Sequence, residues 1–127
     1  MDYNGLLKQA QDVSKNAYAK YSDFLVGACV LGSSGKIYPG CNVENASYGL
    51  TVCAERNAIA NAVANGEKSI LALAIYSPNM KDCTPCGACR QVISEFQGEK
   101  EVEVITQTQD GYKIYKISEL LPNKFKL

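Results

Sequence analysis

The chain has 127 residues and not one histidine. Tight zinc binding, if it occurs, must therefore come from thiolates. Net charge is missing as well. Thirteen Lys and Arg cancel thirteen Asp and Glu, and no Lys/Arg cluster stands out along the chain. Surfaces that bind polynucleotides are usually basic, so no nucleic acid polymer is expected as a partner. Small, weakly charged partners fit this balance better. Long apolar runs are also absent. The longest, near Phe24 to Leu31 and Ile70 to Tyr76, are far too short to span a bilayer, so no membrane partner is expected. The opening Met1-Asp2-Tyr3-Asn4-Gly5 has no basic segment leading into an apolar core, so no signal peptide is expected.

What is present is ordinary globular composition, 46% hydrophobic and 20% charged. The length fits one domain over residues 1–127. A domain of that size buries roughly two-thirds of its unfolded surface and needs no disulfide staples. The six cysteines therefore point away from a secreted scaffold. An adequate core, no apparent leader and clustered cysteine spacing favour the reducing cytosol and metal binding, hence a cytoplasmic protein.

Leu6, Leu7, Ala10, Val13, Ala17 and Tyr21 recur at helical spacing and predict an amphipathic helix over residues 3–20. Leu25 to Gly32 and Ile37 to Val43 read as strands joined at Ser33-Ser34-Gly35-Lys36, a hairpin. The Ala-rich stretch from Cys53 to Asn65 reads as a helix, with Thr51 as a possible cap and Gly66 beyond its end. Ile70 to Ser77 is a continuous apolar run, the mark of a strand buried on both faces. Gly87 to Gln97 reads as a helix closed by Gly98. Glu101 to Thr106 alternates as a strand, and Asp110-Gly111 turns it into Tyr112 to Tyr115. A helical turn over Ser118 to Leu121 stops at Pro122. The order α-β-β-α-β-α-β-β implies a mixed sheet sandwiched by helices, an α/β domain that starts and finishes antiparallel.

Two short motifs carry the chemistry. Cys53-Ala54-Glu55 opens one helix, and Pro85-Cys86-Gly87-Ala88-Cys89 opens another. Cys86 and Cys89 lie at i, i+3, where their sulfurs share a helix face. Three thiolates leave a fourth tetrahedral position for water, the pattern of a catalytic zinc site and not a structural one. Glu55, two residues after the first ligand, is placed to handle that water's protons. Three thiolates around zinc carry a net charge of about −1, which weakens the metal's pull on water. Two helix N-termini offset part of that charge, and Arg56 would offset more by hydrogen bonding a thiolate.

Blander readings exist for each residue. A single cysteine is most often a small buried hydrophobe, the preferred view of Cys29 and Cys41. Cys83-Thr84-Pro85-Cys86 and Cys86-Gly87-Ala88-Cys89 each match a redox C-x-x-C pair. A structural zinc knot would recruit Cys83 as a fourth ligand. Glu55 alone would be a solvated helix residue, and Arg56 a surface charge. The two motifs in combination are more specific than either. Asn42 and Glu44 lie i, i+2 at a strand end and so face one way. An amide beside a carboxylate suits a diol, although a satisfied turn explains the pair too.

Further segments extend the pattern: Tyr21-Ser22-x-Phe24-x-Val26-Gly27-Ala28, Gly40-Cys41-Asn42-Val43-Glu44-Asn45-Ala46, Cys53-Ala54-Glu55-Arg56, Pro85-Cys86-Gly87-Ala88-Cys89-Arg90-Gln91 and Leu120-Leu121-Pro122. Together they span almost the whole chain. On these residues the sequence resembles the cytidine deaminases of the small, homotetrameric, three-cysteine zinc type. The resemblance implies a three-layer α-β-α sandwich with a five-stranded mixed sheet. It implies zinc held by Cys53, Cys86 and Cys89, with Glu55 shuttling protons and Arg56 supporting the thiolates. Asn42 and Glu44 would bind ribose, Phe24 and Ala54 would meet the pyrimidine, and Ala46, Tyr48 and Phe125 would enter a neighbouring subunit's site. The implied activity is hydrolytic deamination of cytidine and deoxycytidine in pyrimidine salvage, by a homotetramer with shared sites. Lys20 and Asn57 depart from the family's usual residues at positions away from the chemistry. A deaminase of another aminopyrimidine, such as a nucleoside antibiotic like blasticidin S, is the alternative enzyme. A non-catalytic zinc or redox module is the alternative from another class.

Overall fold

The computed structural model describes residues 1–127. Its elements are α1 (Tyr3–Ser14), β1 (Gly27–Gly32), β2 (Ile37–Cys41), a 3-10 turn (Tyr48–Leu50), α2 (Ala54–Ala64), β3 (Ile70–Tyr76), α3 (Gly87–Glu95), β4 (Glu103–Thr108), β5 (Gly111–Lys116) and α4 (Ile117–Leu120). The five strands form one sheet in the order β2-β1-β3-β4-β5. Only β3 and β4 run parallel, and the other neighbours are antiparallel. A parallel pair needs a crossover, and α3 lies within it.

Side chains alternate across the sheet with period two, so each strand feeds two cores. Ala28, Val30, Leu73, Ile75 and Val104 pack with Ala58, Ile59 and Ala62 of α2 and Ile93 of α3. Cys29, Ala72, Ala74 and Ile105 face the other way, against Leu6, Leu7 and Ala10 of α1. Helices thus cover both faces, giving the expected α-β-α layers. The central β3 serves both cores, which is why its sequence is apolar without alternation.

Two glycines set how closely the helices lie. A Cβ on Gly27 would sit 1.9 Å from the Ala10 carbonyl oxygen, and one on Gly40 would sit 2.3 Å from the Ala58 nitrogen. Backbone-to-backbone approach at Gly40 holds the first turns of α2 over the end of β2, where the candidate site assembles.

Several boundaries differ from the sequence expectation. The first helix ends at Ser14, not residue 20. Beyond it, Tyr18 forms a bridge with Val43: Tyr18 N–H donates to the Asn42 carbonyl at 2.9 Å, and Glu44 N–H to the Tyr18 carbonyl at 2.9 Å. Long-range backbone pairing overrides a helical spacing that continues through Ala17 and Tyr21. The second strand stops at Cys41, and α3 stops at Glu95. At that end the Phe96 carbonyl accepts from Ile70 N–H at 2.9 Å, joining the helix end to the start of β3. The fourth strand starts at Glu103; just before it the Val102 carbonyl accepts from Ile117 N–H at 3.0 Å and the Glu101 carboxylate accepts from Ser118 N–H at 2.7 Å. Thr51 does not cap α2. Cys53 occupies the cap position, and Thr51 Oγ1 accepts from Asn45 N–H at 3.3 Å. The Tyr48–Leu50 turn was not anticipated.

Candidate metal centre and active site

Cys53 immediately precedes α2 and Cys86 immediately precedes α3, both with extended backbone. Cys89 sits one turn into α3. The three sulfurs lie within 4.8 Å of one another. Cys89 is buried, Cys53 half-buried and Cys86 exposed, so the cluster opens to one side. Three soft sulfur donors from two helix N-termini suit zinc and leave one coordination position without a protein ligand. Cys83 stays outside the cluster. It packs against the core, and burial pushes its thiol up to about 11. Cys29 and Cys41 lie in strands, as expected for small hydrophobes. Burial raises both thiols, Cys29 to about 11.

The cluster is electrostatically prepared for a thiolate. The Cys53 thiol is pulled down to about 5, first by a hydrogen bond from Cys89 and then by Arg56. Cys89 is pushed up because it holds the proton it donates to Cys53. Arg56 Nη2 lies 3.5 Å from Cys53 Sγ, and that thiolate is the main reason its guanidinium is held charged. Both helix N-termini add positive potential at the same place.

A cavity of about 220 Å³ adjoins the thiolates. Phe24, Val26 and Ala54 form apolar wall, and Asn42, Glu44 and Glu55 supply polar groups. Glu55 is 5% exposed. Burial pushes its carboxyl from the ordinary 4.5 up to about 7, with the Cys53 thiolate adding to the rise. A carboxyl near 7 can both accept and return a proton at neutral pH. A larger cavity of about 470 Å³ lies between α3 and the C-terminal segment. It contains none of the clustered thiolates and not Glu55, so the smaller cavity is the chemical one.

Asn42 and Glu44 reach this cavity while also ordering its wall. Asn42 Oδ1 accepts from Val26 N–H at 2.9 Å, and its Nδ2 donates to the Phe24 carbonyl at 2.8 Å. Glu44 Oε1 accepts from Tyr21 N–H at 2.9 Å and Ser22 N–H at 3.1 Å, and Oε2 accepts from the Ser22 hydroxyl. The Ser22 contact is the main reason the Glu44 carboxyl lies below its ordinary range. The segment that presents Phe24 is therefore fastened by the two residues expected to bind ribose. This second role was missed. The i, i+2 spacing reveals a shared face but not a partner some twenty residues away.

Other expected residues fall outside the cavity. Tyr48, 81% exposed, lines an adjoining cavity of about 360 Å³ that shares Ser22, Glu44 and Thr51 with the first. Ala46 is exposed nearby. Phe125 is 69% exposed, and its carbonyl accepts from Gln91 Nε2 at 3.1 Å. Within one chain, none of these three lines the cavity that contains Glu55. Sequence reasoning also missed Asn57 as a fastener. Its Nδ2 donates to the Cys41 carbonyl at 2.8 Å, pinning the first turn of α2 to the end of β2.

Comparison with known proteins gives consistent matches. Residues 2–106 match the family described as cytidine and deoxycytidylate deaminase zinc-binding region. The cytidine deaminase of Sporosarcina psychrophila is 40% identical over 125 residues, covering 98% of this chain and 92% of the relative. The crystal structure of cytidine deaminase from Burkholderia pseudomallei superposes with a TM-score of 0.90 at 41% identity, covering 98% of this chain and 100% of that one. The crystal structure of cytidine deaminase from Mycobacterium tuberculosis gives 0.87 at 37% identity, covering 100% and 99%.

Proposed function

From the premise that the chain belongs to the cytidine and deoxycytidylate deaminase zinc-binding family, we propose how its residues divide the work of deaminating cytidine. The protein is a cytidine deaminase, a zinc hydrolase that converts cytidine to uridine and ammonia. Its role is consistent with pyrimidine salvage. We assign the zinc to Cys53, Cys86 and Cys89, whose sulfurs converge within 4.8 Å. Bound there, zinc supplies Lewis acidity that makes water a usable nucleophile near neutral pH. Glu55 takes the proton that water gives up and delivers it to ring nitrogen 3 of the pyrimidine. The water's oxygen adds to carbon 4, and Glu55 then takes the second proton from that hydroxyl and passes it to the amino group, so the carbon–nitrogen bond breaks, the carbonyl forms and ammonia leaves. One carboxyl serves both transfers because its burial raises its proton affinity above that of an ordinary carboxylate. Phe24, Val26 and Ala54 exclude water from the ring faces. Asn42 and Glu44 receive the ribose hydroxyls from the wall they themselves fasten.

The observation that carries this reading is a buried, proton-exchanging Glu55 in the same cavity as two of the three clustered thiolates. A nucleoside suits the site better than its 5′-phosphate. Glu44 is the charged group shared by the cavity and its extension, and no Lys or Arg lines either one. The test is incubation of the zinc-loaded protein with cytidine, deoxycytidine and CMP, following loss of the cytosine absorbance and release of ammonia. Turnover of both nucleosides, with CMP far poorer, is expected. Equal use of CMP removes the nucleoside assignment, and no turnover of cytidine removes the whole reading.

The assembly we propose is a homotetramer of single-domain chains with shared sites. Tyr48, Leu50 and Phe125 are exposed apolar side chains, and the extended cavity is open beside Tyr48. A neighbouring subunit would cover them, with Ala46, Tyr48 and Phe125 completing its partner's site. No helix is long and apolar enough to cross a membrane. All six cysteines are free thiols, and the metal ligands function only when reduced, so we place the protein in the reducing cytoplasm.

A further inference from the structure

The first turn of α3 carries a cation with three separate partners. Arg90 Nε donates to the Pro85 carbonyl at 2.7 Å, Nη1 to the Leu120 carbonyl at 2.8 Å, and Nη2 to the Thr84 hydroxyl at 3.4 Å. No carboxylate is among them. Thr84 and Pro85 are the two residues leading into Cys86. Pro85 is fully buried, so its carbonyl depends on this donor. Leu120 ends α4, where helix carbonyls have no intrahelical partner. The Arg90 N–H also donates to the Cys86 carbonyl at 2.9 Å. The guanidinium thus holds the segment leading into Cys86 and braces it against the C-terminal segment, while the backbone N–H of the same residue holds the Cys86 carbonyl. Only a rigid, planar fork reaches three acceptors in these directions. A lysine ammonium keeps the charge but not the geometry.

We infer that Arg90 is a positioning residue of the metal centre, holding the Thr84–Cys86 backbone so that the exposed Cys86 sulfur stays in place beside its two partners. The inference rests on the assignment of Cys86 as a zinc ligand. Cys86 is the ligand most open to solvent, so its placement depends most on the backbone behind it. Losing the fork loosens this ligand and leaves Phe24, Asn42 and Glu44 where they are. Metal retention and turnover suffer, and substrate affinity does not.

The experiment compares zinc-loaded wild type with Arg90→Lys, Arg90→Ala and Ile105→Val. Three quantities are measured: zinc transfer to a chromogenic chelator, kcat and KM for cytidine, and unfolding temperature. Ile105 lies in the core against α1, across the sheet from the site, and Ile105→Val controls for general destabilisation. Both Arg90 variants are expected to release zinc ~10–100-fold faster, the usual effect of removing a ligand's outer partner. Their kcat should fall by a similar factor while KM stays within about threefold. Millimolar guanidinium should slow release from Arg90→Ala and leave wild type unchanged. Ile105→Val should unfold earlier yet release zinc at the wild-type rate. The role of Arg90 is overturned if Arg90→Lys releases zinc like wild type, or if release simply follows unfolding temperature across all variants. If Arg90→Ala does not fold, Arg90→Lys decides alone. Wild type that binds no zinc removes the ligand assignment itself, and the inference about Arg90 with it.

Discussion

Glu55→Gln separates the proton transfer proposed for this residue from its effect on stability. The substitution keeps shape and removes the ionisable proton. In the zinc-free, reduced protein, burial holds the Glu55 carboxyl near 7, against an ordinary value of 4.5. Below pH 4.5 the group is protonated both folded and unfolded, and its titration leaves stability unchanged. Between the ordinary value and about 7, the unfolded chain ionises while the folded chain keeps its proton. Stability therefore falls as pH rises through that window and levels off above it. At ~1.4 kcal/mol per pH unit the loss is on the order of 3 kcal/mol. Glutamine has no proton to lose and escapes this decline. The Cys53 thiolate is present in both proteins and largely cancels in the comparison. Urea unfolding followed by circular dichroism, from about pH 4 to about pH 8 in chelator and reductant, gives the difference directly. Glu55→Gln should gain on wild type across that window, by on the order of 3 kcal/mol above pH 7. In the zinc-loaded state it should retain metal and lose more than ~10²-fold in turnover. A stability difference that does not change with pH would show that Glu55 is not held protonated by burial. Activity within tenfold of wild type would falsify its role as the shuttle.

Elemental analysis should find one zinc per chain, lost in Cys53→Ser and Cys89→Ser and unchanged in Cys83→Ser. Loss in the Cys83 variant would indicate a four-cysteine structural site. Arg56→Gln should keep its metal but shift the rising limb of the pH–rate profile to higher pH, because Arg56 lowers the proton affinity of both Cys53 and Glu55. An unmoved limb would reduce Arg56 to a packing role. For the shared site, Glu55→Gln and Phe125→Ala chains should each be weak alone. Unfolded and reassembled together, they should regain activity beyond the sum of the two. No excess, with subunit exchange demonstrated, would place Phe125 outside its neighbour's site.

The cysteines that cluster, Cys53, Cys86 and Cys89, and the proposed role of Glu55 beside them, were legible in the sequence because the spacing that carries them is local. Cys53 with Glu55 and Cys86 with Cys89 are fixed in register by the helices they open, and the absence of histidine leaves the thiolates as the zinc donors. The element order and the doubly buried β3 were legible for a similar reason: period and composition act over a few residues. The meeting of the two cysteine motifs was a tertiary decision. It depends on the strand order and on Gly40, which lets α2 rest on β2 with its first turn at the strand end. The end of α1 was misread because Tyr18 finds backbone partners at Asn42 and Glu44 that no local pattern announces. For the same reason the fastening roles of Asn42, Glu44, Asn57 and Arg90 surfaced only in the fold. Each rests on hydrogen bonds to distant backbone, such as Arg90 to Leu120 thirty residues away. Short-range periodicity encodes which groups a helix or strand presents. Which acceptor waits opposite them is set by packing, and it is packing that raises the proton affinity of Glu55 by burying its carboxyl.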